Sequence, residues 1–241
     1  MTFIITRLQP VSFQDDILRV CCSRDGAQEG YNRFEAVFKS KLLEIHPTKS
    51  CFMVFAPTMG TSDLIRKEIA NRPLVYDQFP MKSKSEEKWL GDILSDRGLE
   101  KSVEATINNR YGKIFSELKA IIEDLRMQMI GGLKCGLDIL ELAIVPSLIN
   151  NCSTWTQIST ESIDKLNKLQ YTFLQMLFAV SQSCPNPVLC WDTATILMQV
   201  RIQKSKLALL HHIKNLDESS LAKQIFRNLR AGRAWLLKVM K

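Results

Sequence analysis

Asp15 and Asp16 are the residues of this chain best placed to do chemistry. Adjacent carboxylates help to hold divalent cations such as Mg2+, which want oxygen ligands in octahedral array, and a two-cation site of that kind drives nucleotidyl transfer. The pair lies between two short apolar runs, Val11 to Phe13 and Ile17 to Cys22, in the pattern of a tight β-hairpin. A hairpin tip pushes its carboxylates out of the sheet at one fixed point, and Val11, Phe13, Ile17 and Val20 would anchor the strands. The same pair also suits an ordinary turn, because aspartate hydrogen-bonds its own backbone. On these residues alone both readings stand.

The elements that must carry such a site change character along the chain. Residues 27–43 read as a helix, with Phe34, Val37, Phe38, Leu42 and Ile45 at helical spacing and Pro47 as its stop. Cys51 to Phe55 reads as a strand closed by Pro57, residues 61–70 as a small helix, and residues 74–76 and 88–94 as further short strands. After Gly98 the pattern turns helical. Val103, Ile107, Ile114, Leu118, Ile122 and Leu125 predict one long amphipathic helix, and a second, kinked at Pro146, ends near Asn150. A third covers residues 160–180. Two prolines mark a turn over residues 183–187, and a fourth helix covers residues 195–216. A last amphipathic piece carries Leu221, Ile225, Leu229, Leu236 and Met240. The expected class is therefore α+β: a mixed lobe over residues 1–97, a helical lobe over residues 98–216 and a basic helical tail over residues 217–241.

Composition narrows the partners. Apolar residues make up 46% and charged residues 24% of 241, which is enough for a substantial core and excludes a wholly disordered chain. No apolar run is long enough to span a membrane, so no membrane partner is expected. The net charge of +7 is unevenly spread: from Arg201 onward there are ten Lys and Arg against Asp217 and Glu218, whereas residues 1–200 carry 22 basic and 23 acidic side chains. A basic end points to a polyanion, nucleic acid before an acidic membrane surface, although a solvated helix face gives the same pattern. Seven cysteines at irregular spacing read as reduced thiols of an intracellular protein. Cys184 and Cys190 precede His211 and His212, but the spacing suits buried thiols and helix-face histidines better than zinc. Glycine-rich phosphate loops and Ser–His–Asp sets are absent from the sequence.

Several short boxes resemble, in order, segments of the reverse transcriptases of non-LTR retrotransposons. Phe13-Gln14-Asp15-Asp16 resembles the tyrosine-x-Asp-Asp box with Phe in place of Tyr. His46-Pro47-Thr48-Lys49-Ser50, leading into an apolar strand, is similar to the turn that follows it in the palm. Glu87-Lys88-Trp89-Leu90-Gly91 resembles the hairpin called the primer grip. Downstream, Pro146 within an apolar helix, Thr154-Trp155, residues 165–170, Pro185 and Pro187, and residues 198–202 resemble the thumb. The likeness covers roughly residues 8–215, and its strength lies in the ordered set rather than in any one box.

The resemblance implies roles. Asp15 would be a magnesium ligand, and Asp16 a weaker one beside the primer end. Phe13 would pack under the hairpin, and Lys49 would face the incoming triphosphate as a compact positive charge. Trp89, Leu90 and Gly91 would form the primer grip, with glycine letting backbone approach a strand. Lys101, Arg110, Lys113 and Lys119 would meet phosphates of an RNA-template and DNA-primer duplex. Lys204, Lys206, His211, His212, Lys214, Arg227, Arg230 and Arg233 would extend that surface. Such an enzyme acts on chromosomal DNA, which points to the nucleus, though no import signal stands out.

The family's palm also carries a metal-binding aspartate in a strand well before the double-aspartate box. Fourteen residues precede Asp15 here and none is acidic, and the fingers are missing as well. One carboxylate pair does not readily hold two cations against their repulsion. The expectation is thus a portion of an RNA-directed DNA polymerase that is inactive alone and has the missing upstream segment as a partner. The alternative is a non-catalytic nucleic-acid-binding or helical interaction protein. The polymerase reading requires the aspartates at a bend between paired strands, beside a sheet that continues into Trp89, Leu90 and Gly91.

Overall fold

The computed structural model describes residues 11–13, 16–46, 49–56, 58–76, 79–127, 132–155 and 157–231. They form a mixed α+β protein that is mostly helical, with its strands in four two-stranded sheets. The chain divides into two units: Met1–Trp89 with Ser95–Gly98, and Leu90–Leu94 with Leu99–Lys241.

The first unit opens with β1 (Val11–Phe13) and β2 (Asp16–Leu18), antiparallel, with Val11 opposite Leu18 and Phe13 opposite Asp16. Helix α1 runs Arg24–Ser40. It starts three residues before the sequence pattern predicts because the Ser23 side chain caps it, accepting from the Gly26 N–H at 3.1 Å. It ends at Ser40 rather than at residue 43, with Leu42 in the left-handed region at φ 57°. Pro47 lies outside the described residues. β3 is only Cys51–Phe52, followed by α2 (Met59–Asn71) capped by Thr58. β4 (Val75–Tyr76) pairs antiparallel with β5 (Phe79–Pro80), and β6 (Lys82–Ser83) pairs in parallel with β3. β5 and β6 fall in a polar stretch with no strand signal of its own.

Side chains of α1 tie these pieces together. Arg24 donates to the carbonyls of Arg72 and Pro73 at 2.9 and 2.8 Å. Gln28 both accepts from the Val75 N–H and donates to the Val75 carbonyl, each at 2.9 Å, as a strand neighbour would. The Tyr31 and Tyr76 rings meet edge to face at 5.6 Å. The buried apolar set of this unit, among the described residues, is Val54, Ile69, Leu74 and Tyr76. Leu42, Phe55, Leu64 and Phe79 are exposed.

The expected strand over residues 88–94 is instead two, β7 (Glu86–Trp89) and β8 (Asp92–Ser95), paired with each other and joined through Leu90 and Gly91. β1–β2 and β7–β8 are separate sheets among the described residues, so the continuous sheet that the polymerase reading requires is not present there. Nor are all the strands antiparallel, since β3 and β6 run in parallel.

The second unit is helical. α3 (Leu99–Met127) packs on α6 (Thr160–Leu177), which Ser159 caps. Between them, α4 (Gly132–Ile139) passes through a π-turn, Leu140–Ile144, into α5 (Val145–Ile149). The irregularity thus precedes Pro146. Proline has no N–H to give to the carbonyl four residues back, and the wide turn lets Val145 donate to Leu140 instead. Pro185 and Pro187, read from sequence as a turn, flank the start of a short helix, α7 (Asn186–Asp192), where proline's fixed φ is at home. α8 (Met198–Asn215) and α9 (Leu221–Ala231) follow. Ile107, Leu118, Ile122, Leu140, Leu148, Leu166, Leu169, Phe173, Leu174 and Met198 form one continuous core with almost no exposure. No helix among the described residues is long and apolar enough to cross a membrane.

Candidate functional site

Strands β1 and β2 pair with Phe13 opposite Asp16. Asp15 itself lies outside the described residues. Asp16 begins β2, opposite Phe13, and its side chain is likewise outside what is described. Among the described residues, no three His, Cys, Asp or Glu side chains assemble into a metal-holding group. Lys49 is exposed on a turn in which the N–H groups of Lys49 and Ser50 donate to the His46 carbonyl at 3.2 and 3.0 Å.

The primer-grip-like residues are better defined. Trp89 is half-buried at the end of β7, with its indole Nε1 buried and without a hydrogen-bond partner among the described residues. Leu90 and Gly91 make the tip, with φ of 50° and 87°. Two successive positive φ values match the right-handed twist of the flanking strands, which is why Asn-Gly is the usual pair there. Leucine in this position pays a steric penalty that asparagine or glycine avoids. Its side chain nonetheless stays 37% exposed, so burial does not explain it.

Helical residues of the second unit seat this tip. Arg110, on α3, donates from Nη2 to the Gly91 carbonyl at 2.9 Å and to Asp92 Oδ1 at 2.6 Å. From Nη1 it donates to the carbonyls of Asn150 at 2.7 Å and Leu148 at 3.2 Å. Its guanidinium carbon also lies 5.7 Å from the centre of the buried Trp155 ring. Asn151, itself left-handed at φ 60°, donates from Nδ2 to the Leu90 carbonyl at 3.2 Å. Thr106 Oγ1 accepts from the Ile93 N–H at 2.7 Å. Burial pulls the Arg110 pKa below the ordinary arginine value, and the Asp92 carboxylate partly offsets this.

The other basic residues differ among themselves. Lys113 and Lys204 are exposed. Lys101 holds Glu104 at 2.6 Å, which raises its pKa, and Lys119 lies 3.7 Å from Glu123. Lys206 is half-buried, and burial lowers its pKa. Arg227 pairs with Glu218, as does Lys223 at 2.9 Å. His211, His212 and Lys214 are exposed on α8. The Arg230 side chain and all of Arg233 lie outside the described residues. Cys190 is buried and Cys184 half-buried. Arg110, expected to meet phosphate, is engaged within the fold through all four N–H groups of its two terminal nitrogens. Sequence reasoning missed Asp92 and Asn151, which join it. The available signal was a charged residue directly after a glycine and an Asn-Asn pair closing an apolar helix.

Comparison of the chain with protein-family models, with curated proteins and with solved structures finds no match.

Proposed function

We propose that these residues are the later palm and the thumb of an RNA-directed DNA polymerase of the non-LTR retrotransposon kind, and that alone they hold template–primer duplex without extending it. The observation that supports this best is the pairing at the double-aspartate box. Phe13 lies opposite Asp16 in antiparallel strands. That is the backbone arrangement a metal-carrying hairpin needs. The second marked position, at Leu90 and Gly91, is also a hairpin tip. In this reading Asp15 and Asp16 contribute ligands for Mg2+, and a carboxylate from outside these 241 residues completes the set. Bound Mg2+ would stabilise charge on the phosphates of the incoming nucleotide and on the leaving pyrophosphate. Lys113 and Lys204 contribute salt-dependent attraction to the duplex.

The test pairs primer extension on an RNA template with duplex binding. The chain alone is expected to extend no primer, and to bind an RNA–DNA hybrid with an affinity that falls steeply as salt rises. Absence of hybrid binding at low salt would overturn the proposal. The separateness of the β1–β2 and β7–β8 sheets favours a second reading, a helical binding protein without polymerase ancestry. That reading predicts the same salt dependence but no effect of Asp15→Asn on Mg2+ binding.

A further inference from the structure

Resting on the polymerase reading for its purpose but not for its geometry, we infer that Arg110 is the positioning residue of the Leu90 and Gly91 tip, fixing the direction in which that tip is presented. Arginine has five N–H donors in a planar fork. Here the two terminal nitrogens serve two different parts of the chain. Nη2 holds the tip through the Gly91 carbonyl and Asp92 Oδ1, and Nη1 holds the end of α5 through the carbonyls of Leu148 and Asn150. Those last two carbonyls sit where a helix runs out of internal donors, so the guanidinium also caps α5. The group is nearly out of solvent, with its side chain 10% exposed, so each bond is worth more than it would be at the surface.

The arrangement is one that a tip of low intrinsic stability requires. A tip with leucine at positive φ is strained, and strain persists only where the surroundings over-determine it. The surroundings do so here. Asn151 takes the Leu90 carbonyl, Arg110 takes the next one, and Thr106 takes the Ile93 N–H. The Trp155 ring closes the face beneath the guanidinium. A lysine cannot replace this fork, because one ammonium does not reach both pairs of acceptors in plane.

Hydrogen exchange on the full chain tests the inference directly. Arg110→Gln and Arg110→Lys are expected to raise amide exchange at residues 90–93 at least tenfold, with the amides around Leu169 and Phe173 within about twofold of the parent. Should those variants fail to fold, Asp92→Ala decides. It removes the Oδ1 acceptor that Arg110 holds at the tip while leaving the core intact, and it is expected to raise tip exchange several-fold. Unchanged exchange at residues 90–93 in folded variants overturns the inference. A second arm reads function, using a DNA primer with a photoreactive 3′-terminal nucleotide annealed to RNA. Adducts at residues 89–91 are expected in the parent chain. They are expected to be lost in Arg110→Lys while hybrid affinity stays within threefold, a split that general destabilisation would not give. A parent chain without adducts sinks the polymerase reading, while the exchange result still decides the role of Arg110.

Discussion

Leu90 is the residue whose placement is hardest to explain by folding alone. It holds a positive φ, its side chain is substantially exposed, and asparagine would suit the backbone better. An outlier of this kind points from structure to function. Leu90→Asn is expected to stabilise the chain by roughly 1 kcal/mol, the cost of a non-glycine residue in the left-handed region, measured as a higher denaturation midpoint. Photoreactive primer-end adducts at residues 89–91 are expected to fall in the same variant. A variant that is both more stable and forms the same adducts would remove the functional argument for this leucine. Arg110 illustrates the opposite case. As a basic residue on a helical face it reads as a phosphate contact, yet its acceptors are carbonyls and a carboxylate of its own chain. Nothing in a charge pattern distinguishes an arginine that turns outward from one whose partners lie 18 to 40 residues away in sequence.

At the scale of elements, the β7–β8 hairpin carries a pH-sensitive link. The Lys84 side chain donates to the Glu87 carboxylate, which lowers the pKa of Glu87 and raises that of Lys84. A carboxyl held below its unfolded value contributes stability that is complete above the ordinary glutamate range and lost as pH falls through the folded value. A raised lysine contributes stability that is complete below its ordinary value and lost as pH rises through the folded one. The hairpin is therefore expected to be best protected between about pH 5 and pH 10, to loosen below about pH 4.3, and to lose its acid dependence in Glu87→Gln. Exchange at residues 86–89 across pH, corrected for intrinsic rates, checks this. The residue pattern alone reads this segment as one strand, although the primer-grip resemblance implies a hairpin, because Trp89 and Leu90 extend an apolar run through the tip and Leu-Gly lacks the polar signal of Asn-Gly. The long helices were legible because α3 and α6 bury one stripe each, so their apolar residues recur at helical spacing. The strands of the first unit are two or three residues long, too short for alternation to show, and their pairing depends on side chains of α1.

At the scale of the molecule, the two units differ in how much core they own. The helical unit has a continuous buried cluster centred on Leu166, Leu169, Phe173 and Leu174, whereas the first unit buries Val54, Ile69, Leu74 and Tyr76. Buried apolar area is the main source of stability, so amides of the first unit are expected to exchange through smaller openings than those of α3 and α6. Phe173→Ala, which empties a site with no exposure, is expected to cost about 3–5 kcal/mol and to be read in the melting of the helical unit. Equal protection across both units would show that the first unit draws stability from a source beyond its own core. Leu42, Phe55, Leu64 and Phe79 of the first unit are exposed, so its apolar surface is less completely buried than that of the helical core.

The polymerase reading rests on Asp15 and Asp16 acting as cation ligands at the β1–β2 bend. Titration with Mn2+, a paramagnetic stand-in for Mg2+, reads this residue by residue in amide spectra of the full chain. The account predicts broadening confined to the amides of Phe13, Asp16 and Ile17 and their neighbours, reversed by excess Mg2+ and absent in Asp15→Asn. Broadening elsewhere only, or broadening at the bend that survives Asp15→Asn, would contradict it.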